Sequence, residues 1–209
     1  GVTGSGKTEI YLQAIEQLLR YQRQALVLIP EISLTPQTEK RFRDRFNVPI
    51  VTMHSGMTDK QRLEAWLQAK SGQAKIVLGT RSAIFTPFEA LGLIILDEEH
   101  DASYKQQEGF RYSARDLAVI RAQRENIPVI LGSATPSLES LNNCNKGRYE
   151  HLTLNQRVNN ATSPNWTLID LKTESIQCGI TDTTLTAIEN TLKAKQQVLV
   201  FLNRRGFAP

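Results

Sequence analysis

A glycine-rich segment at the start of the chain has the residue types that bind the phosphates of a nucleotide. Residues 1–8 match the pattern G-x-x-x-x-G-K-S/T, in which glycines let backbone N–H groups surround a phosphate and the next helix adds partial positive charge. Lys7 is expected to reach the β- and γ-phosphates of ATP, and the Thr8 hydroxyl is expected to bind Mg²⁺. The predicted nucleotide-binding residues are Gly1, Thr3, Gly4, Ser5, Gly6, Lys7 and Thr8. The alternative is a turn that only connects a strand to a helix.

An acidic cluster directly after an apolar run is the second candidate for chemistry. Residues 91–96 are followed by Asp97, Glu98, Glu99 and His100. At the end of a buried parallel strand, this cluster would lie beside the phosphate loop. We expect Asp97 to hold Mg²⁺ and Glu98 to orient or deprotonate the attacking water, so that Lys7, Asp97 and Glu98 form the catalytic set. Glu99 and His100 are expected to couple this site to neighbouring elements. An acidic loop that caps the next helix is the alternative.

Aromatic and basic residues alternate just beyond the acids. Rings in such a pattern can stack on nucleic-acid bases while the cations meet phosphates. The predicted stacking residues are Tyr104, Phe110 and Tyr112, and the predicted phosphate contacts are Lys105, Arg111 and Arg115. In the alternative interpretation, one or two of these rings pack under the loop as ordinary core.

Hydroxyl and basic residues also follow two other predicted strands, where they could grip a nucleic-acid backbone. These predicted DNA contacts are Thr35, Gln37, Thr80, Arg81 and Ser82. Capping of the following helices explains Thr35 and Ser82 equally well.

The elements that must position these residues alternate between helix and strand. Apolar spacing predicts helices over residues 8–20, 35–46, 60–69 and 114–124, and buried strands over residues 25–29, 75–78, 91–96 and 128–131. This alternation is typical of a parallel sheet covered on both faces. We expect one domain over residues 1–150, a linker over 151–165, and the start of a second domain over 166–209 with strands at 166–171 and 198–202 and a helix at 183–195.

Composition excludes several classes of protein. The 209 residues are 40% hydrophobic and 22% charged, which favours a globular protein over a disordered or coiled-coil one. No apolar run approaches the roughly 20 residues of a membrane helix, and no leader segment is visible, so a cytoplasmic protein is expected. Cys144 and Cys178 have no metal-binding spacing. The net charge of +4 is compatible with a polyanionic partner but does not by itself indicate one.

Because Gly1 lies inside the phosphate-loop motif, the chain is expected to be a fragment that lacks the preceding strand.

The acidic cluster and a later Gly-Ser-Ala-Thr-Pro segment at residues 132–136 together resemble motifs II and III of superfamily 2 helicases. By this resemblance, Ser133, Thr135 and His100 relay the nucleotide state; a simple strand-to-helix turn is the alternative for the first two. Further segments resemble the bacterial replication-restart helicases within that superfamily: residues 1–11, 29–31, 34–38, 79–83, 97–116 and 201–207.

The resemblance implies a RecA-like P-loop NTPase domain with α/β architecture, followed by the beginning of a second such domain. It implies a DNA-dependent ATPase that uses ATP and Mg²⁺ and unwinds DNA in the three-prime to five-prime direction at stalled forks. Implied partners are single-stranded and forked DNA, primosome proteins and single-strand-binding proteins, with no membrane. Family members also carry zinc, whose ligands would lie outside this chain. The alternatives are a RecG-like or restriction-type DNA translocase, and a nucleotide-dependent DNA-binding module without turnover.

Overall fold

The chain folds as two compact units, residues Gly1–Ala161 and Thr162–Pro209. A computed structural model describes residues 4–156, 165–177 and 179–201. The helices are α1 (Lys7–Arg20), α2 (Pro36–Arg45), α3 (Asp59–Lys70), α4 (Ala114–Glu125), α5 (Leu138–Asn145) and α6 (Asp182–Lys193). The strands are β1 (Gln24–Leu28), β2 (Ile50–Met53), β3 (Ile76–Gly79), β4 (Leu91–Leu96), β5 (Lys105–Gln106), β6 (Tyr112–Ser113), β7 (Val129–Leu131), β8 (Ile176–Gln177) and β9 (Ile180–Thr181).

A five-stranded parallel sheet in the order β2-β3-β1-β4-β7 forms the centre of the first unit. Its central strands β1, β3 and β4 are buried along their whole length, because they are runs of aliphatic residues that have a covered face on both sides. The predicted α/β class is therefore confirmed. Parallel strands also bring their carboxyl ends to one edge of the sheet, where the loops that follow them can form a site.

Each face of the sheet has its own hydrophobic core. On one face α1 and α2 contribute Tyr11, Leu12, Ile15 and Phe42. On the other face α3 and α4 contribute small side chains, which are Ala65, Ala69, Ala114, Ala118 and Ala122. Alanines spaced four residues apart in α4 lie on one side of the helix and allow it to approach the sheet closely.

Hydroxyl residues cap the helices that follow loops. The capping side chains accept a hydrogen bond from a backbone N–H in the first turn, and they are Thr35 for α2, Thr58 for α3, Ser113 for α4, Ser137 for α5 and Thr181 for α6. The capping alternative for Thr35 is thus realised. Helix α1 differs, because no side chain caps its N-terminus.

The second unit consists, in its described part, of the β8–β9 hairpin and α6. The predicted helix is present, but the strand predicted at residues 166–171 is absent, and Trp166 and Leu168 there are exposed. Residues 198–201 are likewise not a strand, and position 202 lies outside the described residues. A strand needs a partner for its backbone hydrogen bonds, and neither segment pairs with another strand in the described part of this unit. Apolar residues alone therefore did not suffice to predict a strand in these two segments.

None of the helices that the structure describes is long and apolar enough to cross a membrane.

Candidate functional site

The phosphate loop ends in two glycines with left-handed backbone. Gly4 and Gly6 have φ angles of 75° and 87°, which other residues rarely adopt. A side-chain carbon at Gly4 would meet no atom within 4 Å, so the space beside the loop is open. Ser5 Oγ is buried without a hydrogen-bond partner among the described residues. An orphaned hydroxyl beside the uncapped N-terminus of α1 fits an anionic phosphate. Gly1 and Thr3 lie outside the described residues.

The acidic turn after β4 is fastened to both neighbouring strands. The Asp97 N–H donates to Leu28 O at 2.9 Å, and the Glu99 N–H donates to Gly132 O at 3.0 Å. Between them Glu98 has a φ of 47°, an uncommon backbone angle for a residue with a side chain. The turn therefore sends three adjacent carboxylates in different directions.

Glu98 faces the phosphate loop. Its Oε1 lies 3.7 Å from Lys7 Nζ, and both side chains are largely shielded from solvent. The predicted base and the predicted phosphate-binding cation are thus brought together at one point.

Asp97 faces α1 and is held there by Tyr11. The Tyr11 hydroxyl donates to Asp97 Oδ1 at 3.0 Å, and burial, together with the nearby Asp97 carboxylate, raises the pKa of this phenol, so its proton is retained. Burial also raises the pKa of Asp97, while the Tyr11 hydrogen bond opposes that shift. A side-chain carbon at Gly132 would lie 1.5 Å from the Tyr11 hydroxyl. Gly132 therefore leaves the space in which Tyr11 orients Asp97.

Tyr11 had no predicted role of its own. The signal available in the sequence was its position four residues after Lys7, which places both side chains on the same face of a helix.

Thr8 and Asp97 line one cavity of about 290 Å³ together with Tyr11 and residues of α2. A hydroxyl and a carboxylate are oxygen donors of the kind that Mg²⁺ prefers, and Mg²⁺ usually keeps several waters and binds few protein ligands. These two side chains therefore fit the predicted metal ligands.

His100 connects the acidic turn to the segment after β7. Its Nδ1 lies 2.8 Å from Ser133 Oγ and its Nε2 lies 3.2 Å from Thr135 Oγ1. The same Nδ1 is 3.7 Å from Glu98 Oε2. The three residues predicted to relay the nucleotide state are thus in mutual contact, and His100 among them approaches Glu98.

Glu99 points the opposite way, into a buried polar network with a side chain only 2% exposed. It accepts hydrogen bonds from the Ser137 N–H at 2.7 Å and the Ser140 hydroxyl at 2.9 Å. Arg115 Nη1 lies 3.4 Å from Glu99 Oε2 and 2.8 Å from Ser137 Oγ. The network joins the acidic turn to the first residues of α4 and α5. The Arg115 guanidinium is bound within this network and its side chain is mostly shielded from solvent. Its predicted role as a phosphate contact is therefore wrong.

Tyr104 is also buried, with 2% exposure, and the prediction that it stacks on bases is wrong. Its hydroxyl lies 2.7 Å from Asp97 O and 2.9 Å from Leu28 O. The ring packs in the core beneath the acidic turn, which is the alternative that the sequence left open. Tyr104 therefore anchors the backbone of Asp97.

The remaining predicted DNA-contact residues separate into exposed and buried ones. Phe110, Lys105 and Arg111 are exposed, and Tyr112 is half-buried. Thr80 is buried and offers a phosphate little surface. Arg81 is half-exposed and its guanidinium donates to Ser103 O and Lys105 O at 2.9 and 3.2 Å. Arg81 thus holds the loop that carries the exposed residues.

Comparison with known proteins identifies relatives of this chain. Residues 1–144 match the DEAD/DEAH box helicase family. The whole chain is 59% identical to the replication restart protein PriA of Haemophilus influenzae, of which it covers 29%. It is 46% identical over its whole length to the PriA of Bacillus subtilis, of which it covers 26%. The chain therefore spans less than a third of the length of these curated relatives.

Two solved structures share the fold. The structure of RecG bound to a three-way DNA junction superimposes with a TM-score of 0.50 at 26% identity, over 71% of this chain and 19% of that one. The Hef helicase domain of Pyrococcus furiosus gives a TM-score of 0.50 at 25% identity, over 72% of this chain and 32% of that one. The second of these is a helicase domain, in agreement with the predicted RecA-like architecture.

The half-buried Asp97 carboxylate is expected to destabilise the nucleotide-free protein at neutral pH. Because its pKa is raised in the folded state, folding favours the protonated form, and that advantage is lost as pH rises through the folded pKa. Asp97→Asn should therefore raise the melting temperature at pH 7, by about 2–4 °C for each kcal/mol relieved. The gain should vanish below about pH 4, where the carboxyl is protonated in both states. Glu64→Gln, at an exposed acid of α3, is the control that should change nothing; a lower melting temperature for Asp97→Asn at pH 7 contradicts the prediction.

The Glu99 network is expected to contribute strongly to stability. Glu99→Ala leaves Arg115 and the first turn of α5 without their buried acceptor, which should cost about 3 kcal/mol of unfolding free energy in urea denaturation. Glu139→Ala is the matched control, because Glu139 approaches the same arginine at 3.8 Å but is mostly exposed; its loss should be much smaller, since solvent screens an exposed ion pair. Equal losses for the two variants would show that burial does not decide the effect.

Proposed function

Because the chain belongs to the DEAD/DEAH box helicase family, we propose that its phosphate loop and acidic turn hydrolyse ATP within a DNA helicase of the replication-restart type. The observation that carries this proposal is the approach of Lys7 and Glu98 to 3.7 Å beside the orphaned Ser5 hydroxyl. A cation, a base and an anion-binding loop meet there. Phosphoryl transfer needs positioning and charge stabilisation more than covalent chemistry, and these groups supply both.

Each residue has a distinct part in the reaction. The loop N–H groups and Ser5 bind the phosphates, and Lys7 neutralises charge on the β- and γ-phosphate oxygens as it grows. Glu98 orients the attacking water and accepts its proton on a carboxylate oxygen. With ATP bound, Lys7 is drawn to the phosphates, and the Glu98 carboxylate is free to meet the water.

Thr8 and Asp97 are the residues that would hold Mg²⁺. The metal, when bound, supplies positive charge to the β- and γ-phosphates and orients them. Tyr11 donates to one Asp97 oxygen, which fixes the carboxylate and leaves its other oxygen for the metal or for a metal-bound water.

DNA binding would be coupled to hydrolysis through two contacts with the acidic turn. On one side His100 links Glu98 to Ser133 and Thr135. On the other side Tyr104, at the base of the aromatic and basic loop, bonds the backbone of Asp97. A strand that shifts this loop would shift the acids with it. Lys105 and Arg111 are the exposed cations of the loop and would contact DNA phosphates, with Thr35 and Arg81 as further candidates.

The finer properties proposed for the full-length protein come from its likeness to the replication restart proteins. They are three-prime to five-prime unwinding at stalled forks, binding of single-stranded and forked DNA, and assembly with primosome and single-strand-binding proteins in the cytoplasm. Zinc is proposed for the full-length protein through ligands outside this chain.

A RecG-like translocase is the second candidate, since the RecG structure matches at 26% identity. The identity of 59% over the whole chain to a replication restart protein favours the first candidate.

A nucleotide-dependent DNA-binding module without turnover is the third candidate function. An ATPase assay with and without single-stranded DNA distinguishes such a module from a motor.

Replacement of Lys7 tests the assignment of the phosphate loop. Lys7→Ala in the full-length protein should reduce ATP turnover at least 100-fold, because the cation that meets the β- and γ-phosphates is removed (about 10² or more for such electrostatic contacts). Lys40→Ala, which removes an exposed lysine paired with Asp44, should leave turnover unchanged. Near-normal hydrolysis by Lys7→Ala would remove the loop from the mechanism.

Replacement of Glu98 tests the division of work between the acids. Glu98→Gln should keep nucleotide affinity within a few-fold and slow hydrolysis by about 10²–10⁴, because the water loses its base. Single-turnover hydrolysis and equilibrium binding of a fluorescent ATP analogue measure the two effects separately. If affinity collapses while hydrolysis per bound nucleotide stays normal, the roles assigned to Asp97 and Glu98 are wrong.

A further inference from the structure

Phe85 joins the exposed rings of the aromatic and basic loop although it belongs to a different segment. It ends the 3₁₀ turn Arg81–Phe85 that follows β3. Its ring centroid lies 4.9 Å from that of Tyr112 in an edge-to-face arrangement, and the Phe110 ring lies 6.0 Å from Tyr112 on a tilted plane. Phe85 is 53% exposed and Phe110 is 77% exposed. We call Phe85, Phe110 and Tyr112 the ring cluster.

The exposure of Phe85 is not a consequence of a loose backbone. Ala83 and Ile84, its neighbours in the same turn, are buried. Arg121 donates from Nη1 to Ile84 O and to Thr86 O, both at 2.8 Å. These hydrogen bonds fix the carbonyl groups of the residues before and after Phe85. The ring is held outward by a backbone that is itself anchored in the protein.

The two segments of the ring cluster are also fastened to each other. Arg81, at the start of the turn that ends in Phe85, donates to Ser103 O and Lys105 O of the loop. The edge-to-face contact of Phe85 with Tyr112 is the second connection. A ligand therefore meets rings that are already arranged, and binding loses less entropy than it would with a mobile loop.

We propose that Phe85 is a DNA-contact residue, which adds a ring from another segment to the base-stacking surface predicted for Phe110 and Tyr112 and meets the face of an unpaired base. This proposal rests on the proposed function and names the part of the substrate that this surface takes. Flat exposed rings stack on any base, but only where the base face is not covered by a neighbour in a duplex. Lys105 and Arg111 lie on the same loop and are exposed, so cations are present for the phosphates of the same strand. The surface thus fits a single strand with little sequence preference.

The test compares two strands of equal length, one with bases and one abasic. In the full-length protein, Phe85→Ala should weaken binding of the base-containing strand about fivefold or more, as expected for one lost base stack. On the abasic strand, which has no base to stack, the same change should have no effect. Phe85→Trp should keep wild-type affinity because its ring stacks as well. Fluorescence anisotropy at fixed salt measures the affinity of the wild type and of both variants for each strand.

Ile120→Ala, which shortens an exposed apolar side chain of α4, is the control and should not change affinity for either strand. The melting temperature of Phe85→Ala should fall by no more than about 4 °C, as expected for the loss of the edge-to-face contact with Tyr112. Unchanged affinity of Phe85→Ala for the base-containing strand overturns this inference alone, as does an equal loss on both strands. A wild-type protein that binds neither strand overturns the DNA part of the proposed function as well.

Discussion

The structure depends on how the turn after β4 is held in place. Its backbone is tied to β1 through the Asp97 N–H, to Gly132 directly after β7 through the Glu99 N–H, and to the core below through the Tyr104 hydroxyl. These bonds maintain the left-handed backbone of Glu98, whose cost of about 1–3 kcal/mol they offset. As a result three consecutive carboxylates face different partners; the purposes proposed for Asp97 and Glu98 are metal binding and proton transfer, while Glu99 attaches helices.

At Asp97 and Glu98 the arrangement that suits the proposed function lowers the stability of the folded protein. At Glu99 the arrangement raises that stability. Asp97 is buried enough for its pKa to rise, so its ionised form is a cost that a bound cation would offset. Glu98 keeps an unfavourable backbone angle that directs its carboxylate at Lys7. Glu99 instead satisfies buried donors of α4 and α5. The raised pKa of Asp97 and the backbone angle of Glu98 are therefore costs that accompany their proposed chemistry, whereas Glu99 anchors the start of α4 and α5 beside them.

Local patterns predicted the elements well, whereas contacts distant in sequence were missed. The strand at Leu91–Leu96 was predicted to the residue, since an apolar run followed by acids is unambiguous when the sheet buries both faces. Alternation of aromatic and basic residues could not tell the buried Tyr104 from the exposed Phe110, because burial depends on what lies beneath the loop. Phe85 and Tyr11 were overlooked, since their partners Tyr112 and Asp97 come from other parts of the chain. The strand predicted at residues 166–171 failed for the same reason, because pairing is not a local property.

The coupling proposed between nucleotide and DNA would follow from a shared backbone segment rather than from a long pathway of contacts. The loop that carries Phe110 and Lys105 begins only a few residues after Glu98, and Tyr104 at its start bonds the peptide oxygen of Asp97. Arg81 holds the same loop from the side of β3. Two rigid attachments on either side of a short loop mean that a displacement at the rings must move the acidic turn, unless one of those hydrogen bonds breaks. Energetic coupling of the proposed kind would need no intermediate element, because the proposed binding surface and the proposed catalytic acids share one segment of backbone.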